Sequence, residues 1–512
     1  MKRFFRWWLV ILAVCLLGAA PAAAREAKIR LLHVNDFHGF AEPYRPLGRL
    51  ELQGGAAYLA AQVKRLRAAR PSLLLAAGDM IQGDNWANLF QGASVIELMN
   101  AMGFDAMVVG NHEFDFGREV LQERVRQAAF PVLGANVQGL PDLKPYVVRK
   151  VGAVRVAILG VVTPDTAQAT HPKNVAGLSF TPPATVVREY LPRLRQEADL
   201  VVVLSHLGYA ADRQLAQEVP GIDIIVGGHS HTRLDRPVRV NGTWIVQAFE
   251  HGRFLGVLDV TVERGRMKAS EGRLVPIRPG SGPADPEILA LVKKYQRQVD
   301  SLLNVVVGEA ATDLDAREAR VQETALGNLV ADILKARAGA ETALINGGTL
   351  RAGIPKGPVT RKQVYTALPF DNYLVALRLT GAQILAALEH GIAGLPEREG
   401  RFPQVAGLKF AYRPGAPPGR RVAEVEIGGR PLEPERTYTL ATIDFLAAGG
   451  DGYTVFGEVL KAAGLSGNGG LLQSTALTYN DPGTWVRDLV ADHFTRHSPV
   501  SARVEGRIRA LP

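Results

Sequence analysis

Short apolar runs rich in valine, leucine and isoleucine recur through the N-terminal half of this chain, and each leads into residues of the types that bind metals. The runs cover 29–34, 73–77, 107–109, 200–205 and 222–226, and their length and composition predict buried strands. Because open α/β sheets build ligand sites at the carboxyl ends of their strands, the polar residues that follow should meet at one site. These residues are Asp36, His38, Asp79, Asn111, His112, Asp115, His206, His229 and His231.

The length of the chain and the alternation of patterns along it predict two domains and a linker. A chain of 512 residues is too long for one ordinary core. From 28 to 278, strands alternate with amphipathic helices, which predicts an α/β catalytic domain. Proline and glycine residues within 279–304 mark a boundary, and a connecting helix is predicted over 287–303. A second α/β domain is predicted over 305–512, where helices and strands are again mixed.

The first 24 residues have the three parts of a secretory signal peptide. Basic residues are followed by an apolar core over 7–20 and a small-residue cleavage site at 22–24. We therefore expect segment 1–24 to be removed and the protein to be secreted, to the periplasm or the cell exterior. The apolar core is shorter than a membrane span, so no stable membrane anchor is expected, and a retained anchor is the alternative. The single cysteine, Cys15, lies in this segment, so the mature chain should have no disulfide.

The charge balance disfavours some classes of partner. The formal net charge is +9, and three of the basic residues belong to the predicted signal peptide. The sequence has no dense lysine and arginine tract with interleaved aromatic residues, so binding to polymeric nucleic acid is not expected. A moderately basic surface instead suits small anionic substrates that arrive by diffusion. No feature of the sequence indicates an obligate protein partner.

The set of carboxylates, imidazoles and one amide fits a site for two divalent metals. In phosphate ester hydrolysis, two cations roughly 3.5–4 Å apart neutralise the phosphate, lower the pKa of a bridging water and hold the attack in line. Such a site needs one carboxylate that bridges both ions, and Asp79 is predicted to be this bridge. Mixed nitrogen and oxygen ligands favour Zn, Mn, Fe or Co over Ca or Mg. The first ion would be held by Asp36, His38 and one of His229 and His231, and the second by Asn111, His206 and the other of that pair.

The order of these motifs resembles the signature of the calcineurin-like metallophosphoesterases. The matching elements are Asp-x-His at 36–38, Gly-Asp at 78–79, Gly-Asn-His-Glu at 110–113, the lone His206, and Gly-His-Ser-His at 228–231. The resemblance implies that the catalytic domain is a four-layer α/β/β/α sandwich.

Residues 110–115 resemble more narrowly the secreted 5'-nucleotidase family. In this family the histidine pairs with the aspartate three residues on, which implies that His112 stabilises the phosphoryl oxygens of the transition state and that Asp115 orients His112. A donor at that place acts where charge develops. One position departs from the family, because His231 stands where some bacterial nucleotidases have Gln and animal ones have Asn. The identity of the metals is therefore left open.

The second half resembles the C-terminal, substrate-recognition domain of the same nucleotidases. Segments 320–324 and 346–351 match its phosphate- and ribose-binding turns, and segments 368–372 and 445–452 match its base-stacking turns. Arginine can hold anionic oxygens in paired hydrogen bonds, and stacking of a base on an aromatic ring contributes about 1–3 kcal/mol. The resemblance implies phosphate contacts from Arg320 and Arg351, a base sandwich of Phe370 and Phe445, hydrogen bonds from Asn346 and Asn372, and ribose contacts from Asp451.

The sequence thus predicts metal-dependent hydrolysis of nucleotide phosphate esters, and the main expectation is a 5'-nucleotidase that releases phosphate and nucleoside. Two alternatives share the site and differ in the substrate pocket: a 2',3'-cyclic-nucleotide 2'-phosphodiesterase with 3'-nucleotidase activity, and a UDP-sugar hydrolase. A non-catalytic nucleotide-binding surface protein is disfavoured because all the metal ligands and both residues of the His-Asp pair are present. The other histidines are predicted to be packing or surface residues: His33, His171, His251, His390, His493 and His497.

Overall fold

The apolar runs of the N-terminal half form the central strands of two six-stranded sheets. This computed structural model describes residues 26–46, 50–463 and 474–512. The predicted signal peptide over 1–24, with Cys15, lies outside the described residues. The strands of this half are β1 (Ala27–Val34), β2 (Ser72–Ala76), β3 (Ala106–Val108), β4 (Val132–Leu133), β5 (Val137–Gln138), β6 (Tyr146–Val151), β7 (Val154–Val162), β8 (Ser179–Phe180), β9 (Leu200–His206), β10 (Ile224–Gly227), β11 (Val238–Val240), β12 (Thr243–Gln247), β13 (Phe254–Glu263) and β14 (Arg266–Pro276).

The two sheets are mainly parallel in their centres. The first has the strand order β14-β13-β1-β2-β3-β4, and the second has the order β11-β12-β10-β9-β7-β6. Strands β1 to β4 run parallel to one another, and so do β7, β9, β10 and β12. Parallel strands end at the same edge of a sheet, so the turns after them lie together, as the sequence predicts.

Helices cover the outer faces of both sheets. Alternate side chains of a strand point to opposite faces, and β1 is apolar on both: Leu31 packs against the second sheet, whereas Leu32 packs against helices. The helices of this half are α1 (Ala56–Ala69), α2 (Asn85–Asn88), α3 (Ala93–Met102), α4 (Arg118–Gln127), α5 (Thr166–Ala169), α6 (Pro183–Glu197), α7 (Tyr209–Glu218) and α8 (Pro286–Leu303). Helices α1, α3, α4 and α8 pack on the first sheet and α6 and α7 on the second, so the α/β/β/α sandwich is confirmed.

The connecting helix α8 packs on the N-terminal half. The Asp285 carboxylate caps it by accepting a hydrogen bond from the Ile288 N–H at 3.0 Å, and Pro286 occupies its first turn, where a missing N–H costs nothing. Ile288 and Val292 are buried in the N-terminal core, and the Trp86 indole N–H donates to the Val292 carbonyl at 3.2 Å. The domain bounds 28–278 and 305–512 stay a prediction. Within the described residues, no helix has the length and apolar character needed to cross a membrane.

The C-terminal half is also α/β. It contains a five-stranded sheet with the order β19-β16-β23-β18-β24, a four-stranded sheet with the order β22-β21-β20-β25, and the pair β15-β17. Its strands are β15 (Val306–Ala310), β16 (Thr342–Asn346), β17 (Gly357–Thr360), β18 (Tyr373–Thr380), β19 (Pro403–Ala406), β20 (Leu408–Tyr412), β21 (Val422–Ile427), β22 (Arg430–Pro431), β23 (Thr437–Ile443), β24 (Leu477–Trp485) and β25 (Ile508–Ala510). Its helices are α9 (Ala325–Ala338), α10 (Arg361–Ala367), α11 (Gly381–Ile392), α12 (Asp444–Ala447), α13 (Thr454–Ala462) and α14 (Val486–His497). Leu326, Leu344, Leu377 and Leu388 lie in a hydrophobic core formed by its described residues.

Candidate active site

Backbone contacts tie together the turns that leave β1, β2 and β3. The Asp36 N–H donates to the Gly78 carbonyl at 3.0 Å, and the His38 N–H donates to the Asp79 carbonyl at 3.0 Å. Gly110 approaches Asp79 so closely that a Cβ at position 110 would come within 2.2 Å of the Asp79 carboxylate, so a side chain there would displace Asp79. Five candidate ligands have positive φ, which is strained for residues other than glycine and concentrates at functional sites: Asp36, His38, Asp79, His229 and His231.

Two neighbouring clusters collect six of the predicted metal ligands. They consist of Asp36, His38 and His231, and of Asp79, His206 and His229. In the first, His231 Nε2 lies 3.3 Å from Asp36 Oδ1 and 3.3 Å from His38 Nε2. In the second, His206 Nε2 lies 3.0 Å from Asp79 Oδ2. The sequence left the two histidines of the Gly-His-Ser-His turn unassigned, and the structure puts His231 in the first cluster and His229 in the second.

The donor atoms of the two clusters fit a pair of divalent ions. Asp79 Oδ2 also lies 3.9 Å from His38 Nε2, so this carboxylate stands between the clusters, as a bridging ligand must. Asn111 Oδ1 is buried and has no hydrogen-bond partner among the described residues. A buried acceptor left unpaired is destabilising, and a bound cation would satisfy it. Imidazole nitrogens and carboxylates that face one another are the donor set of mixed-ligand metal sites.

Hydrogen bonds from Nδ1 orient the rings of two of the candidate ligand histidines. The Nδ1–H of His206 donates to the Ala77 carbonyl at 2.6 Å, and the Nδ1–H of His38 donates to the Gln82 carbonyl at 2.8 Å. A proton held on Nδ1 leaves the Nε2 lone pair free, and a fixed ring orientation is what metal-binding histidines require. These two rings are therefore arranged to present Nε2 to an ion.

Carboxylates in and beside both clusters raise the pKa of a neighbouring histidine. Burial opposes protonation of His206, but the charge and hydrogen bond of Asp79 outweigh it and raise the pKa of His206 to about 10. Burial also opposes protonation of His231, but Asp36 and Glu250 outweigh it and raise the pKa of His231 to about 9. Each cluster therefore stabilises a cation at neutral pH, and a divalent ion would compete with these protons for the same nitrogens.

Glu113 holds the turns that carry Asp79 and Asn111. Its buried carboxylate accepts backbone N–H bonds from Asp79 at 2.9 Å, Met80 at 2.7 Å, Ile81 at 3.2 Å and Gly110 at 2.5 Å. Burial, and then the negative charge of Asp79, raise the pKa of Glu113. The fourth residue of the Gly-Asn-His-Glu motif therefore fixes the backbone that positions the predicted ligands.

The predicted pair of His112 and Asp115 is formed. His112 Nδ1–H donates to Asp115 Oδ2 at 2.6 Å, while Asp115 Oδ1 accepts from the Thr170 hydroxyl at 2.7 Å. The His112 N–H donates to Asp79 Oδ1 at 3.0 Å, and the His112 ring lies 5.3 Å from the ring of His38. The imidazole is thus oriented by a carboxylate and stands beside both metal clusters.

Two residues of the C-terminal half reach this centre. Arg351 Nη2 lies 3.1 Å from His38 Nε2, and the ring of Phe370 lies 5.8 Å from the ring of His112. The Arg351 guanidinium also lies over the Phe370 ring, 5.9 Å from its centroid. A phosphate at the metal clusters would therefore meet an arginine, and its organic substituent would meet an aromatic ring.

A second group of predicted substrate residues lies around Asp451. The Asn346 side-chain amide donates to Asp451 Oδ2 at 2.6 Å. Burial, and then the like charge of Arg351, lower the pKa of Arg320 to about 10, although Asp451 opposes this shift. The charges of Arg351 and Asp451 therefore both act on Arg320, as expected for residues that hold an anionic sugar phosphate.

Of the two predicted stacking rings, Phe370 lies beside His112, whereas Phe445 is mostly buried. Phe445 has 9% of its surface exposed and belongs to the C-terminal core, where a Cβ on Gly450 would come within 2.2 Å of its ring. Asn372 is half-buried, and its carbonyl accepts the Val486 N–H at 2.8 Å. The base sandwich and the role of Asn372 stay predictions, whereas Phe370 faces the site.

One side of the first cluster is built by residues that the sequence did not single out. His251 Nδ1 is 2.8 Å from the Tyr44 hydroxyl, and its ring stacks on Phe40 at 3.9 Å and lies 5.8 Å from the ring of His38. His251 therefore packs beside the first cluster. A signal was present, because His251 follows β12, another parallel strand that ends at the same edge.

Two further histidines also support the site. His390 Nε2–H donates to the Asp451 carbonyl at 2.7 Å, and His171 Nε2 lies 3.4 Å from Asp444 Oδ2 across the two halves. Neither contact contradicts the prediction that these are packing or surface residues. His33 is buried in the first sheet, and His493 and His497 lie in the C-terminal part of α14.

Two family models match this chain in the order of its two halves. The calcineurin-like phosphoesterase model matches residues 29–233, and the 5'-nucleotidase C-terminal domain model matches residues 306–458. The first match contains every predicted metal ligand and the His112–Asp115 pair. The second contains all the predicted substrate residues.

Similar proteins extend over nearly the whole chain. Protein UshA of Yersinia enterocolitica is 30% identical, over 93% of this chain and 92% of the relative. The trifunctional nucleotide phosphoesterase protein YfkN of Bacillus subtilis is 33% identical over 84% of this chain, which spans only 32% of that longer relative. The crystal structure of a 5'-nucleotidase precursor from Thermus thermophilus is 35% identical and superimposes with a TM-score of 0.86, covering 94% of this chain and 99% of that one. The chain therefore belongs to the 5'-nucleotidase family of the calcineurin-like phosphoesterases.

Proposed function

We propose that this protein is a two-metal 5'-nucleotidase that hydrolyses a nucleotide at its 5' phosphate ester. One observation carries the proposal: Arg351 and Phe370 of the C-terminal half lie against His38 and His112 of the metal-binding half. The phosphate end and the organic end of one small substrate can therefore be held at the same time. The YfkN and Thermus thermophilus relatives, a nucleotide phosphoesterase and a 5'-nucleotidase by name, support this choice.

The proposed cofactor is a pair of divalent ions, Zn, Mn, Co or Fe, held by the two clusters and by Asn111. When bound, such ions neutralise the phosphate and supply a nucleophile from water at neutral pH. Asp36, Asp79 and the imidazoles would hold the ions, with Asp79 shared between them. The choice among these metals follows from the mixed nitrogen and oxygen donors.

His112 is the proposed catalytic group of the chain itself. Asp115 accepts the hydrogen bond from Nδ1 and so orients the ring. A protonated His112 would donate from Nε2 to an oxygen of the phosphoryl group, and the interaction would strengthen as negative charge develops there. Arg351 would hold another phosphoryl oxygen, so that charge is balanced from both halves of the protein.

The nucleoside would lie along the surface formed by Phe370, Asn346 and Asp451. A base can stack on Phe370 whatever its identity, because every base has a π-face. Asp451 would accept hydrogen bonds from the ribose hydroxyls, since Asn346 orients its carboxylate. We therefore expect tolerance among bases and stronger selection at the phosphate end.

We also propose that the protein acts outside the cytoplasm. The support is the arrangement of basic start, apolar core and small-residue cleavage site over 1–24. N-terminal sequencing of protein recovered from the periplasm or the medium should begin after Ala24. A mature chain that still carries its apolar core would contradict export with cleavage.

A substrate panel tests the activity. AMP, UMP, 3'-AMP, 2',3'-cyclic AMP, UDP-glucose and bis-p-nitrophenyl phosphate are compared with Mn²⁺, Co²⁺ and Zn²⁺. AMP should be cleaved at the 5' ester with the highest kcat/KM, and an Asp79→Asn sample prepared in parallel controls for contaminating phosphatase. A preference of tenfold or more for 2',3'-cyclic AMP would make the cyclic phosphodiesterase the function, and the same preference for UDP-glucose would make it a UDP-sugar hydrolase.

A further inference from the structure

The last predicted metal ligand is held differently from the others. His231 Nδ1–H donates to Glu250 Oε2 at 2.6 Å, and both side chains are mostly buried. His38 and His206 instead donate from Nδ1 to backbone carbonyls. A carbonyl is neutral and fixed by the fold, whereas a carboxylate adds a full negative charge behind the ring and makes the far nitrogen a stronger donor.

Glu250 is itself fixed in place. Its Oε1 accepts from Arg253 Nη1 at 3.2 Å, and Arg253 Nε donates to the Gln53 side chain at 2.6 Å. The Arg253 guanidinium also lies 4.6 Å from the centre of the Phe249 ring. The carboxylate therefore has a defined orientation, with one oxygen toward His231 and the other toward Arg253.

His231 and Glu250 form a matched pair. A Gln or Asn ligand at position 231 could still donate from its side-chain amide to Glu250. It would lack the imidazole ring through which the carboxylate makes the ligating nitrogen a stronger donor. With a histidine at position 231, Glu250 is a second carboxylate at the first cluster, in addition to Asp36. Asp36 Oδ1 lies 3.3 Å from His231 Nε2. The second cluster has no equivalent carboxylate behind its histidines among the described residues.

We propose that Glu250 is a positioning residue that sets how tightly the first cluster retains its divalent ion, acting through His231. The inference rests on the proposed two-metal function. It goes beyond that function because it attributes tighter retention of the divalent ion by the first cluster to Glu250, a carboxylate that is not itself a predicted ligand. Carboxylate partners of metal-binding histidines typically change affinity by about 10–100-fold. The ion of the first cluster should accordingly be the harder one to remove.

The test measures bound metal directly. Full-length mature protein is loaded with Zn²⁺, dialysed against graded EDTA, and its zinc content determined by mass spectrometry. Glu250→Gln should release one of two ions at an EDTA concentration about 10–100-fold lower than wild type does. Asp235→Asn removes an exposed carboxylate of the same region that pairs with Arg233, and this control should retain zinc as wild type does.

A double-mutant cycle tests whether Glu250 acts through His231. His231→Ala should weaken retention, and adding Glu250→Gln to it should cause no further loss, because the partner of Glu250 is already gone. Thermal melting in EDTA checks that each variant is folded. Glu250→Asp keeps the negative charge, so its zinc retention should lie between those of wild type and Glu250→Gln. Wild-type retention by Glu250→Gln, or losses that simply add, overturns the inference. In either case, AMP hydrolysis by wild-type protein with two zinc ions leaves the proposed function standing.

Discussion

The ring of Phe370 lies 5.8 Å from the ring of His112, with the two planes inclined by 30°. Phe370 is held there through its neighbour Pro369, whose carbonyl accepts a hydrogen bond from the Asn88 amide at 3.0 Å. The same amide makes two hydrogen bonds of 2.9 Å with the backbone of Gly83, in the turn that follows Asp79. An aromatic side chain of the C-terminal half is therefore positioned by a turn of the N-terminal half that follows the candidate metal ligand Asp79.

Replacing Phe370 should affect substrates according to whether they contain a base. Phe370→Ala should lower kcat/KM for AMP by roughly tenfold or more, since a stacked base contributes about 1–3 kcal/mol. Bis-p-nitrophenyl phosphate, which has no base, should lose much less, and Phe370→Tyr should keep the rate on AMP because it keeps the ring. Equal losses on both substrates would mean that Phe370 orders the centre rather than binding the nucleoside.

Asp79 should be indispensable because it stands between the two clusters. Asp79→Asn removes a negative charge that both ions share, so turnover of AMP should fall by several orders of magnitude and the bound metal should fall with it. Steady-state rates and metal analysis on the same samples check both effects. Retention of more than about a tenth of the wild-type rate is incompatible with Asp79 as a bridging ligand.

His112 should contribute to turnover more than to binding. His112→Asn should lower kcat far more than it raises KM, because the interaction with the phosphoryl group strengthens only as charge develops. Asp115→Asn should change kcat in the same direction and by a smaller factor, because Asp115 acts through His112. If either variant raises KM at unchanged kcat, His112 binds or orders the substrate instead.

The positions of the polar residues that follow the strands were predictable from the sequence, because parallel strands end at the same edge of a sheet. That rule located Asp36, Asp79, Asn111 and His206 at one edge. The partition of His229 and His231 was not predictable, since both lie on one turn and its positive φ angles decide which cluster each ring faces.

Contacts between residues distant in sequence account for the other parts of the site that the sequence analysis did not identify. Glu250 meets His231 only because β12 lies beside β10 in the second sheet, and Tyr44 meets His251 over a separation of 207 residues. Phe370 and Phe445 both flank apolar runs, so the sequence alone does not show which ring lies nearer the candidate metal ligands. In the structure Phe370 lies beside His112, and the Phe445 ring packs against Gly450.

His33 should make the fold sensitive to acid. It lies fully buried in β1, its Nδ1 has no hydrogen-bond partner among the described residues, and a Cβ on Gly256 would come within 2.1 Å of its ring. Burial lowers the pKa of His33 from 6.5 to about 3. Between these values the unfolded chain binds a proton that the folded chain does not, so the free energy of unfolding should fall as pH drops below 6.5, by about 1.4 kcal/mol per pH unit. Above pH 6.5 the effect should be absent.

Urea unfolding in EDTA at pH 7.5, 5.5 and 4.5 compares wild type with His33→Phe, which keeps a planar ring and cannot titrate. The variant should be the less pH-sensitive of the two, whatever its stability at pH 7.5, because the other titrating groups are common to both proteins. Parallel pH profiles would show that His33 takes up its proton in the folded state as readily as in the unfolded one.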